Sequence, residues 1–136
     1  MFGDMLAAAQ PFAVTMTYGS ILAIIFVALS LNVGLRRGTE KIPFGPGDND
    51  ELLTKMRAQQ NFAEYVPLAL LLLAGLEANG ADTTMLRVLG GSLVVARVLH
   101  AWGLIAGQII GRGIGTLATM LVLLIEGIWG LVIVMG

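Results

Sequence analysis

The chain reads as an all-α protein, an integral membrane four-helix bundle, and three observations carry that reading. Of its 136 residues 57% are hydrophobic and 12% charged, with a mean hydropathy of +0.85, whereas a soluble domain carries about 25% charged residues. Four apolar segments each come close to the ~20 residues that cross a hydrocarbon core as a helix. Between them lie short polar stretches rich in glycine, proline and acids. One domain covering residues 1–136 is expected.

The elements follow in order. The first span runs from about Phe12 to Leu35. It ends at Arg36 and Arg37, and the loop that follows, with Pro43, Gly45, Pro46, Gly47, Asp48, Asp50 and Glu51, has the residues of a turn-rich connection. The second span covers about Leu52 to Leu76 and contains Pro67, which removes a backbone hydrogen bond and opens or kinks a helix there. A shorter link, Ala78 to Thr84, leads to the third span, about Met85 to Gln108. The last link, Ile109 to Gly113, leads to the fourth, about Ile114 to Met135. The opening Met1 to Met5 has no basic region and no small-residue cleavage site closes the first apolar run, so a cleaved leader is not expected.

Basic residues fix the sidedness. Arg36, Arg37, Lys41, Lys55, Arg57 and Arg112 fall on the side of the first and third loops, Arg87 falls on the other, and Arg97 lies mid-span. The positive-inside rule then puts the first and third loops in the cytoplasm and both termini on the opposite side.

The second span holds the most informative residues. Arg57, Asn61 and Glu64 stand at i, i+4 and i+7, so a cation, an amide and a carboxylate project from one helix face over about 10 Å. An ionisable group at bilayer depth costs about 2.5–3.5 kcal/mol on insertion scales and therefore turns to a protein interior or a wet cavity. Such a stripe either lines a cleft of peptide size or ties helices together by hydrogen bonds. Arg97, near the middle of the third span, needs a carboxylate partner. Glu64 and Glu126 are the acids at comparable depth, and an Arg97–Glu64 structural ion pair is expected. His100, three residues on, reads as a hydrogen-bonded packing residue.

Gly103, Gly107, Gly111 and Gly115 recur every four positions. That spacing suits close helix approach in a membrane, and equally an unwound helix end. The chain has no cysteine, which excludes disulfides and thiolate metal sites and means that any thiol chemistry uses a thiol from outside. No metal site is expected. A net charge of −1 offers nothing to nucleic acid, and nucleotide-binding, zinc-protease and serine-hydrolase motifs are absent from the sequence.

The segment Arg57-Ala-Gln59-Gln-Asn61-Phe-Ala-Glu64-Tyr65-Val-Pro67-Leu68 resembles the R-x-x-x-N-x-x-E-x-x-P signature of the MAPEG family, the membrane-associated proteins of eicosanoid and glutathione metabolism. It is especially similar to the leukotriene-forming, microsomal type of glutathione transferase, which reads R-A-Q-x-N-x-x-E-Y-x-P-L. The Arg36–Arg37 pair matches that type in its spacing to Arg57. The resemblance implies a homotrimer of four-helix protomers with glutathione held between neighbours near the cytosolic face. Carried over by motif position, Arg36, Arg57, Gln59, Asn61, Glu64 and Tyr65 would bind the tripeptide. Arg112, or failing it Arg37, would stabilise its thiolate. The implied second substrate is a hydrophobic or lipid-like electrophile. In the third span the sequence departs from that type, with His100 and Leu104 where tyrosines surround glutathione.

Function is thus expected to be that of a membrane-bound, glutathione-dependent transferase or peroxidase. Two rivals come from other classes. One is a small proton-coupled exporter using a membrane carboxylate, and the other is a catalytically silent binding or scaffold protein of the same family.

Overall fold

The computed structural model describes residues 10–136. Met1 to Met5, on which the expectation of no cleaved leader rested, lie outside the described residues. The rest forms four helices: α1 (Ala13–Glu40), α2 (Asp50–Ala78), α3 (Thr83–Ile105) and α4 (Ile109–Met135). Each is long and apolar enough to cross a membrane. Their outer faces expose Ile24, Leu31, Leu71, Leu117 and Leu124, an apolar surface far more extended than water tolerates on a monomer and natural against lipid. The chain is an integral, polytopic, all-α membrane protein.

Local chemistry sets the helix ends. α1 starts at Phe12, whose φ of 61° puts it in the left-handed region, and no side chain of its own caps the first turn. Glu77 at the far end of α2 does so instead: its carboxylate accepts from the backbone N–H groups of Val14 and Thr15, both at 2.8 Å, and from Thr15 Oγ1 at 2.7 Å. An anion at a helix N-terminus also complements the helix dipole. At the other end α1 continues past Leu35 to Glu40, so Arg36 and Arg37 are helical rather than loop residues. α2 begins with an Asn49 cap whose Oδ1 accepts from Leu52 N at 2.8 Å, and Asp50 and Glu51 occupy its first turn. It runs unbroken through Pro67. Asp82 caps α3, its Oδ1 accepting from Met85 N at 2.9 Å.

The third link differs from the expected one. α3 ends at Ile105 and α4 already starts at Ile109, so the connection is Ala106–Gln108 and not residues 109–113. Gly107 provides the reason: its φ of 67° makes the turn, and Gln108 N–H then returns to Gly103 O at 2.7 Å. Gly111, Gly113 and Gly115 are therefore interior to α4.

α2 and α3 form the middle of the bundle, α1 and α4 each lean on both, and α1 and α4 do not pack on one another. Leu22 and Leu29 of α1, Phe62, Ala69 and Leu73 of α2, Leu86, Leu89 and Leu93 of α3 and Val122 of α4 make one continuous core. Lipid is as apolar as these side chains, so close packing rather than water exclusion must hold the helices. The α3–α4 contact shows how. A Cβ on Gly103 would strike the backbone of Arg112, and one on Gly115 would sit 2.6 Å from both Ala96 O and His100 N. Both glycine readings hold, at different positions: Gly103, Gly111 and Gly115 let two helices meet, and Gly107 turns the chain between them.

Candidate functional site

Three helices converge on one open cavity of about 510 Å³. α2 supplies Arg57, Gln60, Asn61 and Glu64, at spacings of three, one and three that keep them on one face. α3 adds His100 and Leu104, and α4 adds Arg112 and Thr116, each pair one turn apart. The glycine contact between α3 and α4 brings the last four residues together. With the backbones this close, His100 Nδ1 lies 3.0 Å from Thr116 Oγ1 and 3.3 Å from Arg112 O, while Thr116 Oγ1 also donates to Arg112 O at 2.9 Å.

The wall behind the cavity is polar but closed. Arg97 is 1% exposed, and its guanidinium donates to Asn61 Oδ1 at 2.7 Å and to Thr119 Oγ1 at 3.3 Å. Its carbon Cζ lies 5.7 Å from the centre of the Phe62 ring, within cation–π range. These contacts correct the expected Arg97–Glu64 ion pair. Asn61 faces inward to the arginine, whereas Glu64 lies three residues on, exposed and on the cavity. A buried cation is here held by neutral acceptors and an aromatic face, which leaves the Glu64 carboxylate to the cavity.

Of the site residues read from sequence, the structure therefore gathers Arg57, Asn61, Glu64 and Arg112 around one space and leaves others outside it. Gln59 faces α1, where its Nε2 donates to Ser30 Oγ at 3.0 Å. Tyr65 is half-buried and does not line the cavity. Arg36 lies between Glu40 at 3.0 Å and Glu51 at 2.6 Å, and Lys55 closes the cluster at 2.9 Å from Glu51. Arg37 donates to Gly45 O at 2.7 Å, to Ile42 O at 3.3 Å and to Met56 Sδ at 3.2 Å, which folds the first loop back onto α2. Within one protomer, then, the two arginines that end α1 organise the loop. The sequence reading assigned neither Gln60 nor Thr116 to the ligand and took His100 for a packing residue. Gln60 was legible, since it stands three residues after Arg57 and four before Glu64. Thr116 was not, because its place depends on where α4 starts.

Arg57, Glu64 and Arg112 are exposed on the chain taken alone. Charged groups cannot face hydrocarbon, so this side of the bundle must meet water or another protein surface.

The match to other proteins agrees with this architecture. A family model described as the MAPEG family matches residues 15–132. The chain is also 31% identical over 90 residues, 66% of its own length and 69% of the relative's, to the inner membrane protein YecN of Escherichia coli, in strain K12 and in an O6:H1 strain alike. The match covers all four helices nearly end to end, and so the chain belongs to the MAPEG family.

Proposed function

We propose that the cavity binds glutathione between neighbouring copies of the chain in a homotrimer, and that the protein is a membrane-bound transferase or peroxidase acting on an apolar electrophile. The observation that carries this reading is the juxtaposition of Arg57, Glu64 and Arg112 on one open cavity. One guanidinium for a carboxylate, one carboxylate for the ammonium and a second guanidinium for the sulfur match the charged groups of a bound glutathione thiolate. Arginine matches a carboxylate through a bidentate, charge-assisted fork, and Glu64 can accept from the ammonium. Asn61 and Gln60 offer amides for the peptide groups. The volume falls within the 300–1,000 Å³ typical of small-molecule sites. The exposed charged face supports a second copy as the missing wall.

The chemistry needs the thiolate, since the thiol itself is a weak nucleophile. A guanidinium beside sulfur favours the ionised form. Of the two arginines considered for this role, Arg112 is on the cavity and Arg37 is committed to the loop, so Arg112 is the better placed. In a transfer reaction the sulfur electron pair would form the new bond to carbon while the leaving group departs with its own pair. An electrophile dissolved in the bilayer could reach the sulfur without crossing water. The exporter rival fares worse here, because a cavity with two arginines repels cationic cargo.

An assay with glutathione and an activated aryl chloride, repeated with an alkyl hydroperoxide, tests the reading. Turnover by the native protein is expected, with Arg112→Ala lowering kcat about 100-fold and Arg57→Ala acting mainly on KM. Absence of turnover with either electrophile, together with absence of glutathione binding, would overturn it.

A further inference from the structure

The ring of His100 lies on the cavity with one nitrogen in hydrogen-bond contact and the other without a partner among the described residues. Its Nδ1 faces two oxygens, Arg112 O and Thr116 Oγ1. A backbone carbonyl can only accept, so a hydrogen bond to Arg112 O puts the proton on Nδ1, and the Thr116 hydroxyl can then turn to Arg112 O and offer its lone pairs to the ring. In a neutral imidazole that leaves the lone pair on Nε2, at the other side of the ring. Nε2 is buried and has no hydrogen-bond partner among the described residues. His100 itself is 4% exposed and lines the cavity. A buried acceptor with nothing to accept is uncommon in a folded protein and marks a place for a donor.

We infer that His100 Nε2 accepts the proton of the thiol bound in this cavity, an assignment that rests on the glutathione reading above. The S–H bond breaks, an Nε2–H bond forms, and the electron pair stays on sulfur, so neutral imidazole and thiol become imidazolium and thiolate. No co-reactant is needed and the net charge of the cavity does not change. The charged groups around the ring are Arg57 and Glu64 on α2, Arg97 one turn away on α3 and Arg112 on α4. The guanidiniums oppose an isolated imidazolium and favour the thiolate, so the transfer is stable only as a pair, with the anion beside the cation. Arg112 then stabilises the sulfur charge while His100 holds the proton, and the Nδ1–H contacts to Thr116 and Arg112 O fix the ring for the exchange. The same arrangement gives His100 a means to return that proton to a product or leaving group.

The test uses His100→Asn, whose side-chain amide can replace Nδ1–H in donating to Thr116 and Arg112 O but has no counterpart of Nε2. His100→Gln is the second variant, since its amide reaches the Nε2 position and can hydrogen-bond there without taking a proton. Native protein in detergent is titrated with glutathione calorimetrically at pH 7, in buffers of different ionisation enthalpy, while the ultraviolet absorption of the thiolate is recorded. The expected result is a thiolate band in the native protein with almost no proton released to buffer. Both variants should bind glutathione within a few-fold of native and show a band at least about tenfold weaker at that pH. One proton released per thiolate formed in the native protein, or an undiminished band in the variants, overturns the inference and leaves glutathione binding standing. Absence of any binding heat in the native protein overturns both.

Discussion

At the scale of single residues, the strongest constraint is the Arg97 guanidinium, buried with no acid beside it among the described residues. Asn61 Oδ1 is its shorter contact, at 2.7 Å. Asn61→Leu keeps the volume and leaves a buried cation short of an acceptor, which should destabilise the protein by about 2–3 kcal/mol. Denaturant unfolding in detergent measures this, and a loss under about 0.5 kcal/mol would show that Thr119 and Phe62 suffice. Glu126 poses the opposite case. It is completely buried in α4, and neither carboxyl oxygen has a partner among the described residues. Replacing an unsatisfied polar group by an apolar one of similar size is neutral or stabilising, so Glu126→Met should raise the thermal midpoint by about 2–4 °C. A fall in the midpoint would show that the carboxyl is satisfied in the assembled protein. The sequence exposed both groups as intramembrane charges but chose Glu64 as the partner of Arg97, where the structure has Asn61. That choice turns on three residues of helix phase, since Asn61 looks inward and Glu64 outward.

Element by element, the contact between α3 and α4 decides whether the site exists at all. Gly115→Ala would put a methyl group 2.6 Å from Ala96 O and His100 N, both backbone atoms that cannot step aside alone. Overpacking of this kind destabilises by about 1–3 kcal/mol, and it should also separate His100 from Thr116. Gly113→Ala is the control, because nothing lies within 4 Å of its would-be Cβ. Alanine in a helix interior gains about 0.5–1 kcal/mol over glycine. Unfolding measurements should thus move in opposite directions for two alanine substitutions two residues apart. Equal effects would mean that α3 and α4 are less close than described. The four spans were legible because length and apolarity alone define them. The last boundary was not, since the glycine-rich run contains one turn residue and three packing residues that composition does not distinguish.

For the molecule as a whole, the apolar side faces lipid and the charged side must meet water or another protein surface, which the proposed homotrimer supplies. A homotrimer in which each neighbour closes a cavity should appear as three copies by native mass spectrometry from mild detergent, and a purely monomeric species would leave the exposed Arg57, Glu64 and Arg112 without a cover. The second-span motif made half of the site readable, because Arg57, Asn61 and Glu64 lie on one helix and their spacing fixes a common face. Beyond that helix the resemblance pointed to Arg112, His100 and Leu104, but Thr116 was hidden, as its place depends on how α3 and α4 cross. Calorimetric titration of the purified protein with glutathione tests the central claim most directly. The account predicts saturable binding at one tripeptide per protomer, weakened about 10- to 150-fold by Arg57→Ala, as the loss of a charge-assisted pair of about 1.5–3 kcal/mol implies. A flat titration, or an Arg57→Ala variant that binds as well as the native protein, would contradict it.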